Sequence, residues 1–166
     1  RAKVPIVKFS DPRSGIDVDI SVNNTLALHN TKLLSAYSKL DNRVKELVIC
    51  IKYWALHRNL SDAHSGTFSS YTWSILAIQH LQIEGVIPNL QASEERTIET
   101  IEDQEYDVTI NEELNSDDSN KLTLSQLLYR FFKRYANWNW DDDIVSIRNG
   151  APLTRDSKGW NNETPT

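Results

Sequence analysis

Residues 14–24 read SGIDVDISVNN, and this stretch decides how the fold begins. Asp17 and Asp19 alternate with Val18 and Ile20, which is the period of a half-buried strand. The two carboxylates therefore share one face of the predicted strand, where their like charges repel each other. Two interpretations are open for this face: it is exposed to solvent, or it supplies ligands to a Mg²⁺ ion.

The residues on either side extend this strand into a hairpin and then into helices. Residues 2–9, AKVPIVKF, predict a partner strand, and the following SDPRSG contains Asp-Pro and Ser-Gly pairs typical of a turn. From Leu26 onward the apolar residues recur with a helical period. This spacing predicts helices over 25–40, 41–58, 65–82 and 122–136, with a short hairpin near 144–154.

The predicted helices have recognisable ends and apolar faces. Asp41 is the expected N-cap of the second helix, and Gly85 with Pro88 ends the third. The inward positions of the second helix are Val44, Leu47, Val48, Ile51 and Ala55. In the fourth helix we expect Leu124, Leu127, Leu128, Phe131 and Tyr135 to face inward, and Arg130, Lys133 and Arg134 to face outward.

The charges are distributed unevenly along the chain. Residues 92–120 hold eleven acidic residues and one basic residue, Arg96, whereas the remainder holds 17 basic and 12 acidic residues. We therefore expect an acidic surface insert, largely a loop with a short strand at 106–110, on a moderately basic body. A basic body permits an anionic partner such as RNA or a nucleotide without requiring one.

The amino-acid composition indicates whether the chain folds, which redox compartment it suits and whether it spans a membrane. Hydrophobic residues make up 39% of the chain, which predicts a folded globule. The single Cys50 cannot form an internal disulfide, so a reducing compartment is expected. We expect no membrane span, because no run approaches the roughly 18 apolar residues that one needs. The chain has no Met and opens on a strand-like segment, which suggests a piece of a longer polypeptide.

Polar residues near three predicted helices suit phosphate. Short polar side chains begin the first helix, Lys52 lies in the second, and GTFSSY at 66–71 clusters hydroxyl groups at the third. Each feature also has an ordinary explanation: Asn30 and Thr31 as local caps, Ser65 or Thr67 as an N-cap, Lys52 as a solvated lysine, and Tyr71 as a core residue.

The order of these features resembles the terminal RNA nucleotidyltransferases, a family of terminal uridylyltransferases and related cytoplasmic poly(A) polymerases within the DNA polymerase β-like superfamily. The matching stretches run in family order: RAKVPIVKF (1–9), VDISVNNTLALHNTKLLSAYSKLD (18–41), RVKELVICIKYWA (43–55), SGTFSSY (65–71), VIPNLQ (86–91), LSQLLYRFFKRYA (124–136) and KGW (158–160). The resemblance implies an α+β fold. Residues 1–24 would end the nucleotidyltransferase palm sheet, and residues 25–166 would form a mainly helical central domain with the acidic insert 92–120.

The resemblance also implies roles for particular residues. Asp19 would be a catalytic carboxylate and a ligand of Mg²⁺ or Mn²⁺, with Asp17 accessory. The nucleotide would be held by Asn30 at the ribose, Thr31 at the nucleotide, Lys52 and Ser70 at the triphosphate, and Tyr71 stacked on the base. An aromatic ring can stack on any base, and ammonium and hydroxyl groups suit phosphate.

The chain departs from the family pattern in three places. Leu56 stands where the family often has a second lysine. The two other catalytic carboxylates would precede Arg1, and the loop that reads the base would follow Thr166. These 166 residues alone are therefore expected not to extend RNA, and to associate through the open edge formed by Val4, Ile6, Val18 and Ile20.

The implied activity is addition of uridylate from UTP to RNA 3′ ends in the cytoplasm or nucleus. Segment 29–34, HNTKLL, favours UTP over ATP by its resemblance to uridylyltransferases. Three alternatives stay open: adenylate addition, a non-catalytic RNA-binding scaffold, and a helical interaction domain without a nucleotide. The oligomeric state and the RNA target are not determined by the sequence.

Overall fold

The fold is a set of packed helices with three separate hairpins. The computed structural model describes residues 5–101, 103–117 and 119–160. Its elements are β1 (Ile6–Ser10), β2 (Asp17–Ser21), α1 (Thr25–Leu40), α2 (Asn42–His57), a 3₁₀ turn (Ala63–Ser65), α3 (Ser70–Ile83), β3 (Ile98–Ile101), β4 (Gln104–Asp107), α4 (Leu124–Ala136), β5 (Asp143–Ile144), β6 (Leu153–Thr154) and the single turn α5 (Arg155–Lys158). The predicted α+β class is confirmed.

The first hairpin has one polar and one apolar face. Strands β1 and β2 pair antiparallel, so that Lys8 lies opposite Asp19 and Phe9 opposite Val18. Most of the side chains on both faces are exposed, including Ile20. Of the residues predicted to form an open edge, Ile6 and Ile20 are exposed, Val18 is half-buried, and Val4 lies outside the described residues. Association through this edge stays a prediction.

The first two helices begin where the sequence predicts. Asn24 caps α1 by accepting from the backbone N–H of Ala27, and Asp41 caps α2 by accepting from that of Arg43. These bonds satisfy N–H groups that have no partner inside the helix. All five predicted inward residues of α2 are buried or half-buried.

The third helix starts later than predicted. We expected it from residue 65, but α3 begins at Ser70 and Ser69 is its N-cap, so neither Ser65 nor Thr67 caps it. Gly66 has a left-handed backbone with φ of 78°. The Thr67 hydroxyl accepts from the Asp62 N–H and donates to the Asp62 carbonyl. These local bonds stabilise a turn instead of a helix.

The core lies where α2 and α3 pack on each other and on α1 and α4. Its fully buried large side chains are Tyr37, Leu47, Ile51, Leu76, Ile78, Gln79, His80, Leu81, Val86, Leu90, Leu127 and Phe131. No helix in the part of the chain that the structure describes has the length and apolar character needed to cross a membrane.

The acidic insert contains more regular structure than predicted. We expected mainly a loop with one short strand at 106–110, but β3 and β4 form an antiparallel hairpin over 98–107. The hairpin pairs with itself and not with β1 or β2. Glu99 and Glu105 remain exposed, so pairing of the backbone does not require their burial, whereas Asp107 at the end of β4 is half-buried. Glu102 and Asp118 lie outside the described residues.

The fourth helix follows the prediction except at its start, which is Leu124 and not residue 122, and at Arg134. Its start is fixed by a capping box between Thr123 and Gln126. The five apolar positions face inward, whereas Arg130 and Lys133 are exposed. Arg134, expected to face outward, is half-buried, and Glu84 at the C-cap of α3 accepts a hydrogen bond from its guanidinium at 2.5 Å.

Arg43 joins the start of α2 to the segment that leads into α4. Its guanidinium donates to the carbonyl oxygens of Asn120 at 3.1 Å and Leu122 at 2.8 Å, and it pairs with Asp41 at 2.7 Å. We expect Arg43→Ala to lower the free energy of unfolding by about 2 kcal/mol, because partly buried acceptors lose charge-assisted hydrogen bonds. Urea unfolding at pH 7.5 measures this loss. Lys133→Ala, at an exposed position of α4, should change the free energy of unfolding by less than about 0.5 kcal/mol. An equal effect of both substitutions would contradict the stabilising role of Arg43.

Candidate functional site

Asp19 lies on the polar face of the protruding β1–β2 hairpin. Its Oδ2 is 3.2 Å from the Lys8 Nζ of the neighbouring strand, and both side chains are more than half exposed. Asp17 lies on the same face, where it accepts a hydrogen bond from the hydroxyl of Ser10. The sequence-based prediction of two carboxylates on one face of a strand is confirmed.

This pair suits part of a metal site. Mg²⁺ is held in proteins by one or two carboxylates together with water and substrate phosphates. Asp19 is accessible, and its charged neighbour Lys8 is itself exposed, so the carboxylate can act as a ligand of a cation. Across the described residues, no group of three or more His, Cys, Asp or Glu side chains gathers into a complete metal site.

Two of the predicted nucleotide residues line one cavity of about 440 Å³ between α1, α2 and α3. They are Thr31 of α1 and Lys52 of α2. The other residues around this cavity are Leu34, Ser35, Ser38, Val44, Lys45, Val48, Ile49, Ser74 and Ile78. Its floor is apolar and its polar groups are hydroxyls and ammonium groups, which suits an anionic ligand with an apolar part.

Sequence reasoning missed Lys45 as a residue of this cavity. Lys45 and Lys52 are seven residues apart on α2, which places them two turns apart on one face. That spacing was the signal available in the sequence. Leu56, one turn beyond Lys52, is 64% exposed and adds no charge to this face.

Asn30 lines a different cavity from its neighbour Thr31. Successive residues of a helix point about 100° apart, so Asn30 faces away from Lys52. Its cavity, of about 260 Å³, is also lined by Leu26, His29, Leu33, Gln91, Tyr106, Asp107, Val108, Thr109, Ile110 and Arg148. The structure therefore does not bring all the predicted nucleotide residues into one cavity.

Two polar contacts connect the acidic hairpin to the residues around this second cavity. His29 of α1 lies 3.0 Å from Glu99 of β3, and Arg148 donates to Asp107 of β4 at 2.6 Å. Hydrogen bonds from Thr109 and the charge of Arg148 hold the pKa of the Asp107 carboxyl below its usual value. The cavity beside Asn30 thus depends on residues of the acidic insert.

Asn30 and Thr31 are not caps. Both lie inside α1, whose N-cap is Asn24, so the interpretation of these residues as local caps is wrong. The Thr31 hydroxyl donates to the Ala27 carbonyl at 2.8 Å, which orients its oxygen and leaves it able to accept a hydrogen bond.

Ser70 and Tyr71 form the start of α3, next to the N-cap Ser69. Tyr71 is 41% exposed, so it is not a core residue, and partial burial raises the pKa of its phenol. Ser70 is exposed at the end of the helix where backbone N–H groups favour anions. The described cavities that contain Thr31, Lys52 and Asn30 are not lined by either residue.

Two family models match the chain. Residues 1–39 match the model described as the central palm domain of mitochondrial-like poly(A) RNA polymerase, and residues 123–166 match the Cid1 family poly A polymerase model. Curated relatives include the poly(A) RNA polymerases GLD2-B of Xenopus laevis, 39% identical, and GLD2 of Homo sapiens, 37% identical. Each alignment covers 98% of this chain and 33% or 35% of the relative, so the chain spans about a third of their length.

The fold of this chain is similar to those of solved nucleotidyltransferase structures. A cytoplasmic RNA terminal U-transferase superposes with a TM-score of 0.83 at 32% identity, covering 98% of this chain and 53% of that protein. The Cid1 poly(U) polymerase with MgGTP bound gives a TM-score of 0.82 at 34% identity, with 97% and 53% coverage. The chain therefore spans about half of each solved protein.

Proposed function

Because this chain belongs to the terminal RNA nucleotidyltransferase family, we propose that the whole protein adds nucleotides to RNA 3′ ends without a template. Residues 1–24 would complete the palm sheet, and residues 25–166 would form the central domain that binds the nucleotide. The observation that carries this proposal is the meeting of Thr31 and Lys52 in one cavity.

Each predicted side chain has a task in this proposal, and the exposure of Lys52 and Ser70 supports theirs. Lys52 is exposed at the rim of the first cavity and, within the described residues, forms no ion pair, so its ammonium is available to a triphosphate. The exposed Ser70 offers a hydroxyl at the start of α3. Tyr71 would stack on the base and Asn30 would contact the ribose, while Thr31 would accept a hydrogen bond from the nucleotide.

Asp19 would hold the divalent metal together with carboxylates of the rest of the palm. Solved relatives carry Mg with GTP or with 3′-dATP, which supports Mg²⁺ as the metal here. A bound Mg²⁺ would neutralise phosphate charge and favour ionisation of the attacking RNA hydroxyl. The position of Asp19 on an exposed polar face, beside Lys8, lets it approach both an RNA end and a metal.

The proposed activity also includes a preference for one base. We infer UTP from the HNTKLL segment at 29–34, where the chain resembles uridylyltransferases. ATP is the second candidate, since the curated relatives at 36–39% identity include GLD2 poly(A) polymerases. Extension of a labelled RNA by the full-length protein, with Mg²⁺ and each of the four nucleoside triphosphates in turn, distinguishes a UTP preference from an ATP preference. Failure to extend the RNA with any of the four would contradict the proposed activity.

We expect Tyr71→Ala to weaken nucleotide binding by about 2 kcal/mol, because a stacked aromatic ring contributes roughly 1–3 kcal/mol per base. Tyr71→Phe should cost less, because the face of the ring remains. Calorimetry of UTP and ATP binding to the full-length protein measures both effects. Tyr129→Ala on α4, which is 67% exposed, is the matched control. Binding by both Tyr71 variants at the level of the unmodified protein would remove Tyr71 from the site.

A further inference from the structure

Phe68 lies between two tryptophans immediately before α3. Its ring centroid is 5.3 Å from that of Trp73 in the first turn of α3 and 5.6 Å from that of Trp140, which follows α4. Phe68 is two residues before Ser70. The loop that leads into α3 is therefore held both by the helix that it precedes and by a segment distant in sequence.

Both tryptophans are themselves anchored. The indole N–H of Trp73 donates to the Leu60 carbonyl at 2.8 Å, and its ring packs edge-on against Trp54 at 5.7 Å. The indole N–H of Trp140 donates to the Tyr135 carbonyl at 3.3 Å. The two walls around Phe68 thus have fixed positions relative to the core.

The backbone around Phe68 is restrained separately from its ring. Thr67 is bonded to the backbone of Asp62 in both directions, and Ser69 accepts from the Thr72 N–H as the helix cap. These bonds hold the two ends of the short segment, at Thr67 and Ser69. The contact between Phe68 and Trp140 is the ring contact that connects this segment to the chain that follows α4.

The exposure of Phe68 and Trp140 indicates that their role is not limited to stabilising the core. Phe68 is 37% exposed and Trp140 is 44% exposed, so neither ring belongs to the buried core. An aromatic pair outside the core still gains from its edge and face geometry. Its position next to Ser70 and Tyr71 gives it a second consequence, because it orients the residues that follow.

We propose that Phe68 and Trp140 are positioning residues for the nucleotide. Their contact fixes the direction in which the chain enters α3, and therefore the placement of the Ser70 hydroxyl and the Tyr71 ring. This inference rests on the proposed function, in which those two side chains bind the nucleotide. Displacement of groups that bind the substrate weakens its binding without removing any contacting residue.

The test compares Phe68→Ala, Trp140→Ala and the double variant in the full-length protein. We expect each to raise the KM for the nucleotide by roughly tenfold and to leave kcat within about twofold. The effect of the double variant should be smaller than the sum of the two single effects, because both substitutions remove the same contact between Phe68 and Trp140. Phe68→Tyr and Trp140→Phe, which keep a ring, should restore the KM.

Controls keep the result specific. Tyr129→Ala removes another exposed aromatic ring and should leave KM unchanged. If Phe68→Ala does not fold, Phe68→Leu and Trp140→Leu provide the same comparison, with thermal melting as the measure of folding. Additive effects in the double variant, or an unchanged KM, would overturn the proposal.

Tyr71→Ala separates this inference from the function on which it rests. If Tyr71→Ala weakens nucleotide binding while the Phe68 and Trp140 variants leave KM unchanged, the positioning role is wrong and the proposed function stands. If Tyr71→Ala has no effect on binding, the nucleotide site itself is wrong, and the positioning role is overturned with it.

Discussion

Asp19→Ala in the full-length protein is expected to lower the rate of nucleotide addition by roughly 10³-fold or more while leaving the fold intact. The substitution removes a carboxylate that we assign to the metal. It should cost little stability, because Asp19 is more than half exposed and its ion pair with Lys8 is at the surface. It also removes the repulsion between Asp19 and Asp17.

Asp17→Ala is the matched control for Asp19→Ala. Asp17 lies on the same face of β2 and is bonded to Ser10, so its loss changes the local charge by the same amount. Tailing of a labelled RNA under single-turnover conditions, with circular dichroism to follow folding, compares the two variants. We expect Asp17→Ala to keep most of the activity. Tailing by Asp19→Ala at nearly the unmodified rate would exclude Asp19 from the catalytic set.

Acid should destabilise the helical core through His80. This fully buried ring has one nitrogen, Nε2, 3.0 Å from the Leu127 carbonyl, and the other, Nδ1, accepts from Arg134 at 3.1 Å. Burial, and then the charge of Arg134, lower the pKa of His80 to about 4, although the Glu84 carboxylate opposes the shift. The imidazole is therefore neutral in the native protein at pH 5 and above.

The sign of the pH dependence follows from where the proton binds. Below the ordinary histidine pKa of about 6.5 the unfolded chain takes up a proton that folded His80 refuses. This contribution to stability is fully present above pH 6.5 and is lost as the pH falls toward 4. The loss in the free energy of unfolding amounts to about 2 kcal/mol between pH 7.5 and 5, and to about 3 kcal/mol between pH 7.5 and 4.

Urea unfolding of the unmodified chain and of His80→Gln at pH 7.5, 6 and 5 isolates this contribution. The variant should be less stable at pH 7.5 and should lose much less stability on acidification. Burial raises the pKa of Glu84, but hydrogen bonds from Arg130 and Arg134 outweigh it and lower this pKa below its usual value. The stability that Glu84 contributes is therefore present at pH 5 and above and is lost only at lower pH. Equal slopes for the two proteins would mean that His80 is not protected from protons.

The helices were the most predictable part of the fold, because local signals agreed with packing. In α1 and α2 the apolar spacing and the Asp41 cap pointed to the same boundaries. The start of α3 was mispredicted because Asp62 and Thr67 bond to each other and stabilise a turn. Such bonds depend on side-chain positions that periodicity does not describe.

Charge misled the prediction in two places. The acids of the insert suggested a loop, but a two-stranded hairpin leaves Glu99 and Glu105 exposed and places Asp107 beside Arg148 while the backbone pairs. Arg134 was expected at the surface because the sequence does not show that Glu84, on another helix, comes within reach. Long-range partners of this kind are set by tertiary packing.

The candidate site was predicted from family resemblance more than from physical pattern. Spacing alone would not join Thr31 to Lys52, because the cavity that they share forms only when α1 packs on α2. The separation of Asn30 from Thr31 does follow from helical geometry. The aromatic pair of Phe68 and Trp140 had no signal in the sequence, because its members are far apart in the chain.

The two faces of the β1–β2 hairpin restrict how its length can change during evolution. A single inserted or deleted residue within β2 would move Asp19 to the apolar face and bring Val18 or Ile20 to the polar one. One such event would damage the metal ligand and the apolar face together. Length changes should therefore accumulate in the turn closed by the Asp11 N–H and the Ile16 carbonyl, at 2.8 Å, where strand register is unaffected.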